Sequence, residues 1–143
     1  AREWHYRSLE PGILFEQIID ADYELELFLF HGQCRMAMIH LRKPGKDGPV
    51  GDGYLLYDPH WNRLEPGNYK DSGLYNRSSP GVPPPDPGLF TTLQELCGSI
   101  DHVRADFMVS SGTYYLIELT FTHNAGYPSM LGPYEEGLGR AWR

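Results

Sequence analysis

Arg104, Asp106 and Glu118 are the residues whose types and spacing most invite chemistry. They fall within HVRADFMVSSGTYYLIELTFTHNAG, residues 102–126, a stretch patterned as two strands around a tight turn. Val103, Ala105, Phe107 and Val109 are the apolar set of the first strand, and Tyr115, Ile117, Leu119 and Phe121 that of the second. Both sets are odd-numbered, and a one-residue slip in pairing would turn one of them away from a shared core. That parity predicts a three-residue or bulged turn around Ser111-Gly112-Thr113. Arg104, Asp106, Met108, Leu116, Glu118, Thr120 and Thr122 then share the other face. In one such register Asp106 stands directly across from Glu118, about 5 Å away at Cβ.

Like charges placed opposite each other destabilise a sheet unless something offsets them. A divalent cation would do so. Magnesium takes oxygen ligands, commonly one or two of them carboxylates, with phosphate and water completing the shell. Arg104, on the same face, has the planar fork that grips a phosphoryl group or a carboxylate through two hydrogen bonds. The alternative reading is a solvated face carrying an Arg–Asp pair, which is the commoner arrangement. The pattern alone leaves both open.

The elements that must hold these residues follow from periodicity. Residues 12–19, GILFEQII, form a short apolar run with Glu16 and Gln17 set into it, the pattern of a buried strand. In residues 22–41, Tyr23, Leu25, Leu27 and Leu29 alternate with Glu24 and Glu26, a half-buried strand. His31-Gly32-Gln33 turns the chain, and Met36, Met38 and His40 resume the alternation. Residues 54–61, YLLYDPHW, make a brief strand. The segments 42–53 and 65–85 are rich in glycine, proline and charge, as loops and connectors are. Asp86 is suited to cap a helix that Pro87 opens. Leu89, Phe90, Leu93, Leu96, Cys97 and Ile100 then recur at helical spacing as one apolar stripe. The tail after residue 126 allows turns and a short helix. The whole, residues 1–143, reads as one α+β domain with a mostly antiparallel sheet of about six strands and one main helix.

Composition narrows the function. The chain has a formal net charge of −7, with its cations scattered singly, which argues against a nucleic-acid partner. No run approaches the roughly 18 apolar residues of a membrane helix. Cys34 and Cys97, in unrelated segments, are expected as reduced thiols, with a disulfide as the alternative. No Cys/His spacing suits structural zinc. His60 beside Trp61 could stack on a ring ligand or simply pack at a strand end. His102 and His123 flank the carboxylate hairpin, where they could assist a proton or simply be exposed. No nucleophile–base constellation is readable.

Five segments, in order along the chain, carry a family resemblance: EWHYRSLEPGILFEQII, DYELELFLFHG, YLLYDPHW, HVRADF and IELTFTHNAG. Together they resemble the TupA-like ATP-grasp family, associated with bacterial surface-polysaccharide and teichuronopeptide synthesis, and they match its C-terminal lobe. The resemblance implies a ligase that uses ATP to activate a small carboxylate for attack by an amine, and a cytoplasmic location. By the same resemblance Asp106 and Glu118 bind the Mg2+ of ATP, and Arg104 holds the transferring phosphate. Glu16, Gln17, Ile18 and Ile19 line the adenine and ribose pocket. Where many ATP-grasp enzymes carry Asn two residues after the metal-binding Glu, this chain has Thr120. Asn124 stands as the substitute magnesium ligand, with a turn role as its other reading. The sequence lacks a Gly-rich loop with paired lysines to cover the phosphates. This implies either an N-terminal lobe outside these residues or a non-catalytic binding domain that dimerises through its open sheet.

Overall fold

The computed structural model describes residues 10, 12–13, 15–41, 53–65, 75–121 and 134–142. Its frame is a six-stranded sheet made of β1 (Tyr23–Phe30), β2 (Gln33–Leu41), β3 (Tyr54–Tyr57), β4 (Arg63–Leu64), β5 (His102–Ser110) and β6 (Thr113–Thr120). The spatial order is β4-β3-β2-β1-β5-β6, and every neighbouring pair is antiparallel. Two helices accompany it, α1 (Pro87–Cys97) and the short α2 (Glu135–Ala141). The fold is therefore α+β, mostly antiparallel sheet with one main helix, as the sequence predicts. Among the described residues no helix is long and apolar enough to cross a membrane.

One face of the sheet is apolar across β1, β2, β3 and β5. Leu25, Leu27, Leu29, Ala37, Ile39, Leu55, Val103, Ala105 and Phe107 form this core with Leu93 and Cys97 of α1. The helix starts as expected, with Asp86 Oδ1 accepting from the Gly88 amide at 2.7 Å. Its stripe is narrower than predicted, since Leu96 is exposed. At its far end, α1 is stapled to the β1–β2 turn: the His31 amide donates to Ile100 O at 3.1 Å. Gly32, at φ 72°, passes so close to Gly98 that a Cβ would sit 2.8 Å from the Gly98 Cα. Only glycine suits both the left-handed backbone and that approach.

The other face is built differently. Phe28, Phe30, Met36, Met38, Tyr54, Leu56 and Tyr75 cluster there, with Leu138 and Ala141 of α2 packed against them. Beyond β3, Asp58 caps its own loop, accepting from the amides of His60 at 2.9 Å and Asn62 at 2.8 Å. Trp61, rather than His60, supplies the stacking: its ring lies 4.7 Å from that of Tyr57 at an interplanar angle of 14°. The Trp61 indole also donates to Val82 O at 2.9 Å. The connector is thus pinned to the sheet, and Tyr57, Asp58 and Trp61 of YLLYDPHW all have local roles.

Two expectations are corrected. The run 12–19 is no buried strand: its described residues form no strand, and Ile13, Phe15 and Ile18 are 84%, 89% and 93% exposed. An apolar run carries no information about which sheet edge receives it, and none of the described edges does. The sixth strand is the two-residue β4 instead. The β5–β6 turn is also tighter than parity suggested. Ser111 and Gly112, at φ 49° and 77°, make a two-residue turn of the kind that suits hairpin twist. The slip occurs further along, because Asp106 pairs with Glu118 whereas Phe107 pairs with Leu116. Ile117 is the extra residue of a bulge. Leu116 therefore shares the face of Phe107, and Tyr115 that of Met108.

Candidate functional site

Beyond the bulge, the register meets the expectation that mattered most: Asp106 lies directly opposite Glu118. On its other side Asp106 pairs with Glu26 of β1. Three carboxylates therefore stand in one row across β1, β5 and β6, on the face opposite α1. The same row continues into β2, β3 and β4 as Met38, Leu56 and Leu64. The row changes from acidic to apolar between neighbouring strands.

Arg104 sits one step along β5 on the same face, paired with Phe28 on one side and Thr120 on the other. Its Nε and Nη2 donate to Asp106 Oδ1 and Oδ2 at 2.6 Å each. Its Nη1 lies 3.6 Å from Glu26 Oε2. His40 Nε2 approaches the other oxygen of Glu26 at 3.2 Å, and Thr120 Oγ1 stands 3.5 Å from Asp106 Oδ2. The result is a ladder, Thr120–Asp106–Arg104–Glu26–His40, crossing four strands. The side chains of Arg104, Glu26 and Asp106 are only 14%, 15% and 17% exposed. The Arg–Asp pair is thus present, but it is not a solvated one.

Electrostatics in the ladder are lopsided. Burial pushes the Asp106 carboxyl above its ordinary value, with the Glu26 and Glu118 charges adding to the effect, although Arg104 pulls the other way. Burial works against the Arg104 charge, yet the bonds to Asp106 and the charge of Glu26 hold its pKa above the ordinary value. The hydrogen bond to Glu26 raises His40 against the opposing effect of burial. Among the described residues, the three carboxylates of the row share one arginine, so carboxylates outnumber arginines there. Such a site attracts a cation, or a cation carrying an anionic ligand.

The other expected residues divide. Glu16, Gln17 and Ile18 are exposed, and Ile19 is half-buried, in the stretch before β1; they lie outside the sheet and outside the ladder. Asn124 and His123 lie outside the described residues. His102 stacks on Trp142 at 4.8 Å and lies tilted against Phe30 at 4.7 Å, and burial lowers its pKa. Both cysteines are free thiols; burial pushes Cys34 up to about 12, which leaves it unreactive. Glu26 and His40 are the ladder members that the spacing argument did not single out as a site. The sequence offered only a glutamate alternating with apolar residues; its place between β2 and β5 comes from the strand order.

Among the described residues no three His, Cys, Asp or Glu side chains converge as a metal-holding group. The donor set fits magnesium only in its commoner form, two carboxylates with the remaining positions left to phosphate and water. In that form Asp106 and Glu118 would be the ligands, with Asp106 offering the lone pairs that the Arg104 fork leaves unused.

Fold and site define an α+β domain whose sheet presents a row of three carboxylates, half-buried at Glu26 and Asp106 and exposed at Glu118, with Arg104 set into it. Comparison of the chain with family models, curated proteins and solved structures finds no match.

Proposed function

We propose that this chain is the nucleotide-binding lobe of an ATP-dependent ligase of the ATP-grasp type, holding Mg-ATP over the β5–β6 hairpin. The observation that carries the reading is the direct pairing of Asp106 with Glu118 beside Arg104, in a row richer in carboxylates than in cations. Asp106 and Glu118 would hold the magnesium, which when bound neutralises the charge of the phosphates. Arg104 orients the transferring phosphoryl group through its two-pronged fork, because phosphoryl transfer depends on positioning and charge neutralisation. A small carboxylate is converted to an acyl phosphate with release of ADP, and an amine then displaces phosphate to give an amide. Burial of Asp106 and Arg104 strengthens their interactions relative to water, while Glu118 stays exposed. The ordered sequence resemblance adds the setting: bacterial surface-polysaccharide or peptide modification in the cytoplasm, with a further lobe supplying the cover over the phosphates.

Calorimetric titration of the chain with Mg-ATP tests this reading. Micromolar binding that needs magnesium and is lost in both Asp106→Asn and Glu118→Gln supports it. Binding unchanged in both variants refutes it.

A second reading is favoured by a separate observation. Along β6, Tyr115, Leu116 and Ile117 are 42–45% exposed, and Phe121 just beyond it is 55% exposed. Among the described strands none pairs with the outer edge of β6. Unprotected edges of this kind recruit other strands, so a non-catalytic domain that dimerises edge to edge is the alternative. Sedimentation equilibrium separates the two: a dimer lost in Ile117→Lys, with no nucleotide binding, selects the second.

A further inference from the structure

We infer that the cavity where α2 meets β2 and β4 binds a small amphipathic monoanion, a carboxylate on a hydrocarbon or aryl body, with Arg35 and Arg140 meeting its charge. The site lies on the apolar half of the sheet face and rests on neither reading above.

The cavity is about 480 Å3, a size typical of small-molecule sites. Met36, Leu64 and Leu138 give it an apolar lining and belong to the cluster that seats α2. Its charged lining is Arg35, Asp58 and Arg140. Arg35 is placed there by a bulge in β2: Phe28 pairs with Met36 whereas Leu29 pairs with Cys34, which leaves Arg35 as the extra residue. Cys34 packs on the α1 side and Met36 on the α2 side. Regular alternation would set Arg35 and Met36 on opposite faces, whereas here both line one cavity. Re-aiming a side chain in this way is what bulges do at functional sites.

Neither arginine is used up by its protein partner. Arg35 Nη2 donates to Gln33 Oε1 at 2.9 Å, and Arg140 Nη2 donates to Glu136 Oε1; a guanidinium has five N–H donors. The Arg140–Glu136 pair is 75% and 78% exposed, and exposed pairs hold their members weakly. Asp58 accepts from the amides of His60 and Asn62 and from the Asn62 side chain, so its charge is shared with its own loop. Two arginines against one such aspartate favour an anion. Asp58 and Glu136 penalise a second negative charge on it, and the apolar lining favours anions that carry hydrocarbon over bare ones.

Titration of the 15N-labelled chain with octanoate, followed through amide shifts, tests the site. Octanoate should move the signals of Arg35, Leu64, Leu138 and Arg140 saturably and leave those of α1 and β5 in place. Acetate, which lacks the apolar body, and octan-1-ol, which lacks the charge, should each bind about tenfold more weakly. Arg35→Gln and Arg140→Gln, both at exposed positions, should each weaken octanoate about fivefold and leave octan-1-ol unchanged. Should either variant unseat α2, seen as loss of the unliganded Leu138 shift, the other variant and the acetate and octan-1-ol titrations decide. No saturable shift at millimolar octanoate, shifts centred elsewhere, binding indifferent to both variants, or octylammonium binding more tightly than octanoate overturns the proposal. Mg-ATP is absent throughout, so failure of the nucleotide reading leaves these outcomes unchanged.

Discussion

The two halves of the face opposite α1 solve the same packing problem in opposite ways. On the β2–β3–β4 side, Met38, Leu56 and Leu64 continue the row as hydrocarbon, and the nearby apolar cluster receives Leu138 and Ala141 of α2. On the β1–β5–β6 side the same row reads Glu26, Asp106, Glu118. Hydrocarbon on a sheet face needs only a partner surface. Half-buried carboxylates such as Glu26 and Asp106 need a counter-charge, and among the described residues this row has one arginine with a histidine at its end. A fold seeking only stability would have continued the apolar half, since a buried ion pair rarely outperforms hydrophobic residues of similar volume. The acidic half is therefore where the chemistry is to be sought.

The comparison breaks most sharply at Arg104. Arg104→Met leaves Asp106 and Glu26 close together without their shared cation, and should cost roughly 4 kcal/mol in urea unfolding. Adding Asp106→Leu extends the apolar half across β5 and should recover more than half of that loss. A double variant no more stable than the single would mean that the charged half is not interchangeable with the apolar one. Leu56→Ala probes the other half. Leu56 is fully buried, so the cavity should cost about 3 kcal/mol by the same assay. It should do so without altering Mg-ATP binding, which sets it apart from changes in the ladder.

Gly32→Ala tests the apolar face beyond the sheet, where the β1–β2 turn meets the end of α1. Strain at φ 72° together with the close Gly98 contact should lower stability by about 2 kcal/mol. The smallest effect belongs to His40. Its folded pKa is raised by Glu26, so its contribution is fully present below its unfolded pKa of about 6.5 and is lost as pH rises through the higher folded value. Urea midpoints should fall across that window by the equivalent of less than about 1 kcal/mol. That part of the fall should be absent in His40→Gln.

Much of this arrangement was legible in the sequence, for reasons that can be traced residue by residue. The alternation in 22–41 and 102–121 gave the strands, and Asp86-Pro87 gave the helix start. Parity admitted the Asp106–Glu118 pairing as one of its registers, and the slip that parity demands falls at Ile117 rather than in the turn. Ser111-Gly112 can adopt the left-handed pair a tight hairpin needs, so the edge strand absorbs the extra residue instead. Glu26 was read as the polar side of a half-buried strand, because alternation cannot tell a solvated face from a second covered one. Only the strand order, with β1 between β2 and β5, turns that glutamate into part of a site. The run 12–19 misled for the converse reason: its apolar residues describe a surface seeking a partner, and its sequence does not name the partner.

The central claim is that the acidic half of the row holds a nucleotide through its metal, and paramagnetic broadening by Mn-ATP tests it most directly. Substoichiometric Mn-ATP added to the 15N-labelled chain should first erase the amide signals of Arg104–Asp106 and Glu118–Thr120. Those of Leu55–Tyr57 and of α1 should persist. Broadening centred elsewhere, or none at concentrations that saturate an ATP enzyme, would contradict the claim.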